Sequence, residues 1–161
     1  MKKITNPFAR AAKNDAYNCF GCSPANKHGL HLRFWLDEEE LVAKWQPQKE
    51  YEGWVGVLHG GIQATLMDEA AAWLVFVTLN TSGVTTALNM VYTKPVYISK
   101  GEITTRARLI STEKHLARIE CTLLDGSGEI CAKAEVTYFC FPEKIARAKY
   151  NYPGAEAFFS E

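Results

Sequence analysis

The chain reads as α+β, with a curved antiparallel sheet of about five to six strands wrapped around one long central helix. Two observations predict it. From Gly60 to about residue 80 nearly every side chain is apolar or small, so the helix there has almost no polar stripe and must be enclosed by other structure. Strand-like segments then follow one another between Val84 and Phe141 with only short turns between them, and short connections imply antiparallel pairing.

In chain order, residues 1 to about 28 are polar and read as irregular. Leu30 to Leu36 alternates as a strand, the acidic run Asp37-Glu38-Glu39-Glu40 turns the chain, and Leu41 to Trp45 is a second strand. Gln46 to Leu58 is a loop rich in Pro, Gly and aromatics, and the helix follows. Val84 to Tyr97 is extended and interrupted by Pro95; Glu102 to Ser111 and Leu116 to Leu124 are further strands. Asp125-Gly126-Ser127-Gly128 is a turn from which Glu129 to Phe141 returns, with Ile130, Ala132, Ala134, Val136 and Tyr138 on one face. A short helix over Glu143 to Lys149 begins the tail, residues 142–161. The whole is read as one domain, without internal repeat or low-complexity linker.

Composition narrows the function. Eighteen basic against eighteen acidic residues leave no net charge, which disfavours a polyanionic partner such as nucleic acid. The N-terminal charges are not followed by the apolar stretch of a signal peptide, and the longest apolar run, Ala70 to Val77, is far short of the ~20 residues that span a bilayer. Five cysteines, an odd number, with Cys121 and Cys131 inside strand-like segments, do not resemble a secreted disulfide framework. A soluble cytoplasmic protein with reduced thiols is expected.

The most informative segment is Val57-Leu58-His59-Gly60-Gly61, which opens the helix, together with Asp68-Glu69, which interrupt its apolar run. A helix N-terminus offers unpartnered N–H groups and partial positive charge to an oxyanion, and glycine lets a ligand approach that backbone. A carboxylate on an enclosed helix costs several kcal/mol unless paired, so either Asp68 or Glu69 is expected inside or at a cleft, where a functional role competes with a structural ion pair. Gly60 and Asp68 are eight residues apart. That is about 12 Å along one helix, whereas an oxyanion donor and a base or nucleophile must each lie ~3 Å from the reacting centre. If both are catalytic, a second copy of the chain must face the first.

The run from Gly53 through His59-Gly60-Gly61 to Ala70 resembles the signature of hotdog-fold acyl-CoA thioesterases of the PaaI-like group. Leu88-Asn89-Met90-Val91-Tyr92-Thr93-Lys94-Pro95-Val96 is similar to that group's following strand, and Cys19-Phe20-Gly21-Cys22 with Asn26-Lys27-His28-Gly29-Leu30 to a stretch near the N-terminus of many members. The likeness covers residues from about 19 to 141. It implies that Asp68 is the catalytic carboxylate, as general base or nucleophile, and that the Gly60 N–H from the opposite subunit is the oxyanion donor. Thr85 and Thr86 fall where relatives place a water-orienting hydroxyl, with the register between them open. His59 shapes the turn. Some relatives carry an asparagine six residues before the histidine; this chain has Gly53 there, so that role is vacant or falls to Glu69 or Gln63.

On the same resemblance His59, Gly61, Trp54, Leu58, Asn89, Val91 and Thr93 are expected to bind substrate, with Trp73 and Phe76 further candidates for the acyl pocket. The nucleotide-contacting segment corresponds to Glu113-Lys114-His115-Leu116. Coenzyme A needs a cationic rim, for which Lys94, Lys100, Arg106, Arg108, Lys114, His115 and Arg118 are the candidates, although most basic side chains on strand faces are simply solvated. Coenzyme A is part of the substrate, and no separate cofactor is expected. Cys19, Cys22, His28 and His31 make a zinc-compatible set, but only five residues separate Cys22 from His28, which would cramp a local site. The segment is read as a compact turn near the ligand entrance, without metal. Alternatives to thioester hydrolysis are an acyl-CoA binding or sensing protein without catalysis, and a hotdog enoyl-CoA hydratase or dehydratase, whose Asp-x-x-x-x-His motif is absent. A homodimer, or a homotetramer built from it, is the expected assembly, with no nucleic-acid or membrane partner.

Overall fold

The apolar run folds as α2, Gly60–Thr78, whose buried residues are Gln63, Leu66, Met67, Ala70, Ala71, Trp73, Leu74, Val75 and Val77. His59 caps its start, with the side-chain Nδ1 accepting the Gly61 N–H at 2.9 Å. At its end Leu79 donates back to Val75, and Asn80 turns the chain out at φ 51°. This is a computed structural model, and it describes residues 1–11 and 16–159.

The sheet that receives α2 contains β1 (Lys2–Ile4), β2 (Arg33–Asp37), β3 (Glu40–Trp45), β6 (Gly83–Tyr92), β7 (Ile103–Glu113), β8 (Leu116–Leu124) and β9 (Ile130–Cys140). Its order is β1-β2-β3-β7-β8-β9-β6, antiparallel throughout. The helix crosses β3, β6, β7, β8 and β9. Along β8, Ala117, Ile119, Cys121 and Leu123 are buried while the residues between them are not, the period of two expected when one face meets the core. Trp73 stacks on Phe34 at 4.1 Å, which ties the helix to β2.

Three expectations need correction. The N-terminal segment is not irregular throughout: Lys2–Ile4 pairs with Leu36–Phe34, which gives the large sheet seven strands among the described residues, and α1 (Pro7–Ala11) follows. The 46–58 loop folds into a 3-10 turn and a small hairpin, β4 (Glu52–Trp54) against β5 (Val57–Leu58), around Gly56 at φ 75°. The tail begins with the expected helix, α3 (Glu143–Tyr150), but also returns to the core: the turn Ala155–Phe159 buries Phe158 fully beside Phe8, Trp73 and Phe76. Shorter discrepancies have local causes. The strand expected from Leu30 starts at Arg33 because His31 takes φ 55°, and β6 ends at Tyr92 ahead of Pro95. No helix among the described residues is long and apolar enough to cross a membrane.

β6 is an edge strand of ten residues. Most of its residues are exposed, and among them are Val84, Val91 and Tyr92, which are apolar or aromatic. A long edge of this kind is ready to pair with another strand.

Candidate active site

Asp68 and Glu69 are neighbours on α2 but turn to different surroundings. Asp68, half-buried, faces β6, where the Thr85 hydroxyl donates to its Oδ1 at 2.6 Å. That length belongs to charge-assisted O–H···O⁻ bonds. Of the two threonines, Thr85 is the one bonded to Asp68. A bulge after Thr85 shifts β6 against β9, and Thr86 instead donates to the Thr137 carbonyl at 3.1 Å. Among the described residues no hydrogen-bond donor reaches Asp68 Oδ2.

Glu69 points to the other flank. It accepts from Trp73 Nε1 at 3.0 Å and from the Cys19 thiol at 3.4 Å, both at Oε1. Burial, helped by the charge at Cys19, pushes its carboxyl up to about 7. Cys19 moves the other way, to about 5, chiefly because the Cys22 thiol donates to it. Glu69 therefore stands with the cysteines rather than with Asp68 and Thr85.

At the N-terminal end of α2, Ile62 and Gln63 both donate to the His59 carbonyl, and Gly61 donates to the His59 ring. Among the described residues no acceptor takes the Gly60 N–H. Tyr92 from β6 lies over it, its hydroxyl donating to the Gly60 carbonyl at 2.8 Å. A Cβ at residue 60 would sit 3.3 Å from the Tyr92 ring, so glycine keeps this backbone accessible.

A cavity of about 550 Å³ opens at that helix end, lined by Gly53, Trp54, Val57, Leu58, His59, Gly60, Gln63, Tyr92, Thr93, Lys94 and Pro95. Trp54 stands on its rim, 82% exposed. Gln63 is buried in the wall; its Nε2 donates to the Leu58 carbonyl at 3.2 Å while Oε1 has no partner. The cavity thus gathers Trp54, Leu58, His59, Gly60 and Thr93, but not Gly61, Asn89, Val91 or Asp68. Lys114, His115 and Leu116 line a separate cavity of about 240 Å³ with Thr112, Phe141 and Glu143. Trp73 is core. Of the basic candidates, Lys94 pairs with Glu129, Lys100 with Asp125, Arg106 with Asp37 and Glu40, Arg108 with Glu120 and Arg118 with Glu135. Tyr92 went unassigned in the sequence as a wall of the site; its position in the Tyr-x-x-Pro segment was the available signal.

Within one chain, then, the unpartnered N–H and the carboxylate occupy opposite stretches of one helix. Residues 55–132 match the model of the thioesterase superfamily. Over that span, a little under half of its length, the chain is similar to the thioesterase superfamily. The matched span holds His59, Gly60, Asp68, Thr85 and Tyr92, and leaves Cys19 and Cys22 outside it. A relative from Saccharolobus solfataricus, named as an esterase, is 34% identical over 90 residues, which is 55% of this chain and 58% of that protein, so the match spans little more than half of the relative's length.

Solved structures, thioesterases among them, share the fold. A thioesterase from Haemophilus influenzae superposes with a TM-score of 0.65 at 19% identity, over 71% of this chain and 80% of that one. The PaaI protein of the E. coli phenylacetic acid degradation operon gives 0.63 at 16%, over 70% and 81%. A Streptococcus mutans protein bound to acetyl CoA gives 0.61 at 19%, over 68% and 88%. In this fold the sheet clasps α2 and leaves Gly60 beside Tyr92 and Asp68 beside Thr85, Tyr92 and Thr85 both being residues of β6.

Proposed function

We propose that the protein hydrolyses acyl-CoA thioesters to the free acid and coenzyme A, at a composite site in a homodimer. The observation that carries this reading is the Thr85 hydroxyl held on Asp68 at 2.6 Å, at the exposed edge strand and away from the Gly60 N–H of the same chain. Pairing of two β6 edges would set Asp68 of each subunit toward the Gly60 end of the other.

In that arrangement Thr85 fixes the Asp68 carboxylate through Oδ1. As base, Oδ2 takes a proton from water, whose oxygen bonds to the thioester carbon. The carbonyl oxygen becomes an oxyanion, stabilised by the Gly60 N–H and the positive end of α2. Collapse expels the coenzyme A thiolate, which takes up a proton. If Asp68 is instead the nucleophile, its oxygen bonds to the carbon, the C–S bond breaks to release the coenzyme A thiolate, and water then opens the resulting anhydride to the free acid and Asp68. Gln63, with Oε1 unpartnered in the wall, is suited to accept a hydrogen bond from an amide N–H of the pantetheine arm or from water in place of the asparagine absent at position 53. Trp54 covers the acyl-thioester end, while Lys114 and His115 serve the nucleotide.

Acyl-CoA as the ligand class also draws support from the superfamily neighbours solved with acetyl CoA, from Streptococcus mutans, and with CoA, from Bacillus halodurans. The test is free-thiol release from short, medium, long and aromatic acyl-CoAs, run beside Asp68→Asn. Turnover by the wild type that the variant lacks, with ligand binding retained, supports the reading. Binding without turnover by either protein would replace it with a non-catalytic acyl-CoA binder.

A further inference from the structure

The mechanism uses Asp68 and leaves Glu69 unexplained. The groups facing this half-buried carboxylate are Trp73, Cys19 and Cys22, none of which is a cation. A buried carboxylate normally has a counter-charge, and two thiols beside it supply none.

We propose that Cys19, Cys22 and Glu69 form a binding site for a thiophilic divalent cation, zinc(II) being the representative. One ligand atom from each residue lies within 4.8 Å of the others, and Cys19 Sγ is 3.4 Å from Glu69 Oε1. Around a tetrahedral zinc, with Zn–S near 2.3 Å and Zn–O near 2.1 Å, neighbouring ligand atoms stand roughly 3.5 to 3.8 Å apart. The observed cluster needs little contraction to reach that spacing.

The surroundings are those of a built site. Cys19-x-x-Cys22 sits on a tight loop in which Ser23 donates to the Cys19 carbonyl at 3.1 Å. The loop is held to the next segment by Leu30 N–H on Phe20 and Leu32 N–H on Gly21. Bonds from the Gly21 and Cys22 backbone favour thiolate at Cys19, whereas the bond to Cys19, burial and the neighbouring Glu69 keep the Cys22 thiol, 2.9 Å from the Tyr17 hydroxyl, protonated until a cation displaces its proton. Trp73 Nε1 orients the carboxylate, the task of an outer-shell partner. Gly21 is required by space: a Cβ there would lie 2.6 Å from Glu69 Cδ. The glycine is thus what admits the helix carboxylate to the cysteine pair.

This revises the ligand set read from the sequence. His31 is engaged with the Asn26 carbonyl at 2.6 Å, and neither His28 nor His31 joins the cluster; the third ligand comes from α2, 47 residues beyond Cys22. Three protein ligands leave a fourth position for water. Binding releases to buffer whatever protons the two thiols still hold. The ion would clamp the N-terminal loop to α2 beside Asp68, so it acts on the fold and the setting of the helix rather than on the thioester.

The experiment is titration of the full-length, chelator-treated, reduced protein with cobalt(II). Expected are a thiolate-to-cobalt charge-transfer band in the near ultraviolet and the strong visible bands of a four-coordinate ion, saturating at one cobalt per chain and bleached by zinc. Cys22→Ser should abolish the charge-transfer band. Gly21→Ala, which keeps both thiols, should weaken binding at least tenfold, and Trp73→Phe by about 10- to 100-fold. Circular dichroism of each variant separates lost binding from lost fold, and the wild-type titration decides even where a variant does not fold. Absence of the thiolate band in wild-type protein whose thiols all titrate as reduced would overturn the proposal. So would a Cys19–Cys22 disulfide in protein purified without reductant that prevents cobalt binding until it is reduced and does not yield to cobalt afterwards.

Discussion

Replacing Thr85 by valine removes one hydroxyl and keeps the β-branched shape that an edge strand favours. The bond lost is the 2.6 Å donation to Asp68 Oδ1. Hydrogen bonds to charged groups are worth about 1.5–3 kcal/mol net, and because Thr85 is exposed the lower end applies. At 1.4 kcal/mol per factor of ten, orienting the carboxylate is then worth roughly tenfold in rate. Steady-state thiol release with the best acyl-CoA should therefore show kcat about tenfold down with KM little changed, since substrate contacts are intact. The melting temperature should hardly move. Thr86→Val is the matched control: its hydroxyl serves the Thr137 carbonyl, so turnover should stay within about twofold. Full activity in Thr85→Val, or a larger loss in Thr86→Val, would refute the assignment of Thr85 as the residue that positions Asp68.

Three further outcomes test other parts of the structure. Asp125 is fully buried and receives Ser127 N–H at 2.9 Å, Ser127 Oγ at 2.6 Å, Glu129 N–H at 3.1 Å and Lys100 Nζ at 2.7 Å. Burial alone would lift its carboxyl, but these donors overcome it and hold it below the usual carboxylate range. The stability it contributes is thus present above about pH 4 and lost as pH falls through its folded value. Asp125→Asn should cost about 1–3 kcal/mol at neutral pH and flatten the acid limb of denaturant-measured stability; an unchanged acid limb would contradict this. Gly83→Ala would set a Cβ 1.8 Å from the Phe139 carbonyl oxygen, so β6 must shift, with an expected loss of about 3 kcal/mol or more in urea unfolding. Trp54→Ala should leave stability within about 0.5 kcal/mol while raising KM for acyl-CoA, because the side chain stands on the cavity rim.

The central helix was legible because its apolar residues leave so little polar surface, and the β7–β8–β9 hairpins because alternation and the Asp125-Gly126-Ser127-Gly128 turn coincide with the pairing observed. β1 was not. Three residues are too few for a period, and their strand character comes from pairing with β2 some thirty positions later. Which threonine serves Asp68 depended on a bulge that only the β6–β9 register reveals. The separation of Asp68 from Glu69 likewise rests on what each helix flank meets: β6 on one side, the Cys19 loop on the other. A pattern read along the chain does not encode contacts across fifty residues. The eight-residue interval between Gly60 and Asp68, by contrast, carries the expectation of a site shared by two subunits if both residues are catalytic, because helix rise is fixed.

That expectation is best tested by subunit complementation. Gly60 is the first helical residue, where proline is tolerated, and His59 at φ −59°, ψ 135° suits a residue preceding proline. Gly60→Pro therefore removes the N–H with the helix intact, although Tyr92 must yield slightly. Asp68→Asn removes the carboxylate. Each homodimer should be inactive. Subunits of the two variants, mixed and reassociated, should recover about a quarter of wild-type turnover, since half the dimers are mixed and each of those carries one intact site. No recovery on mixing, with dimers formed and both variants folded, would contradict a site shared between subunits.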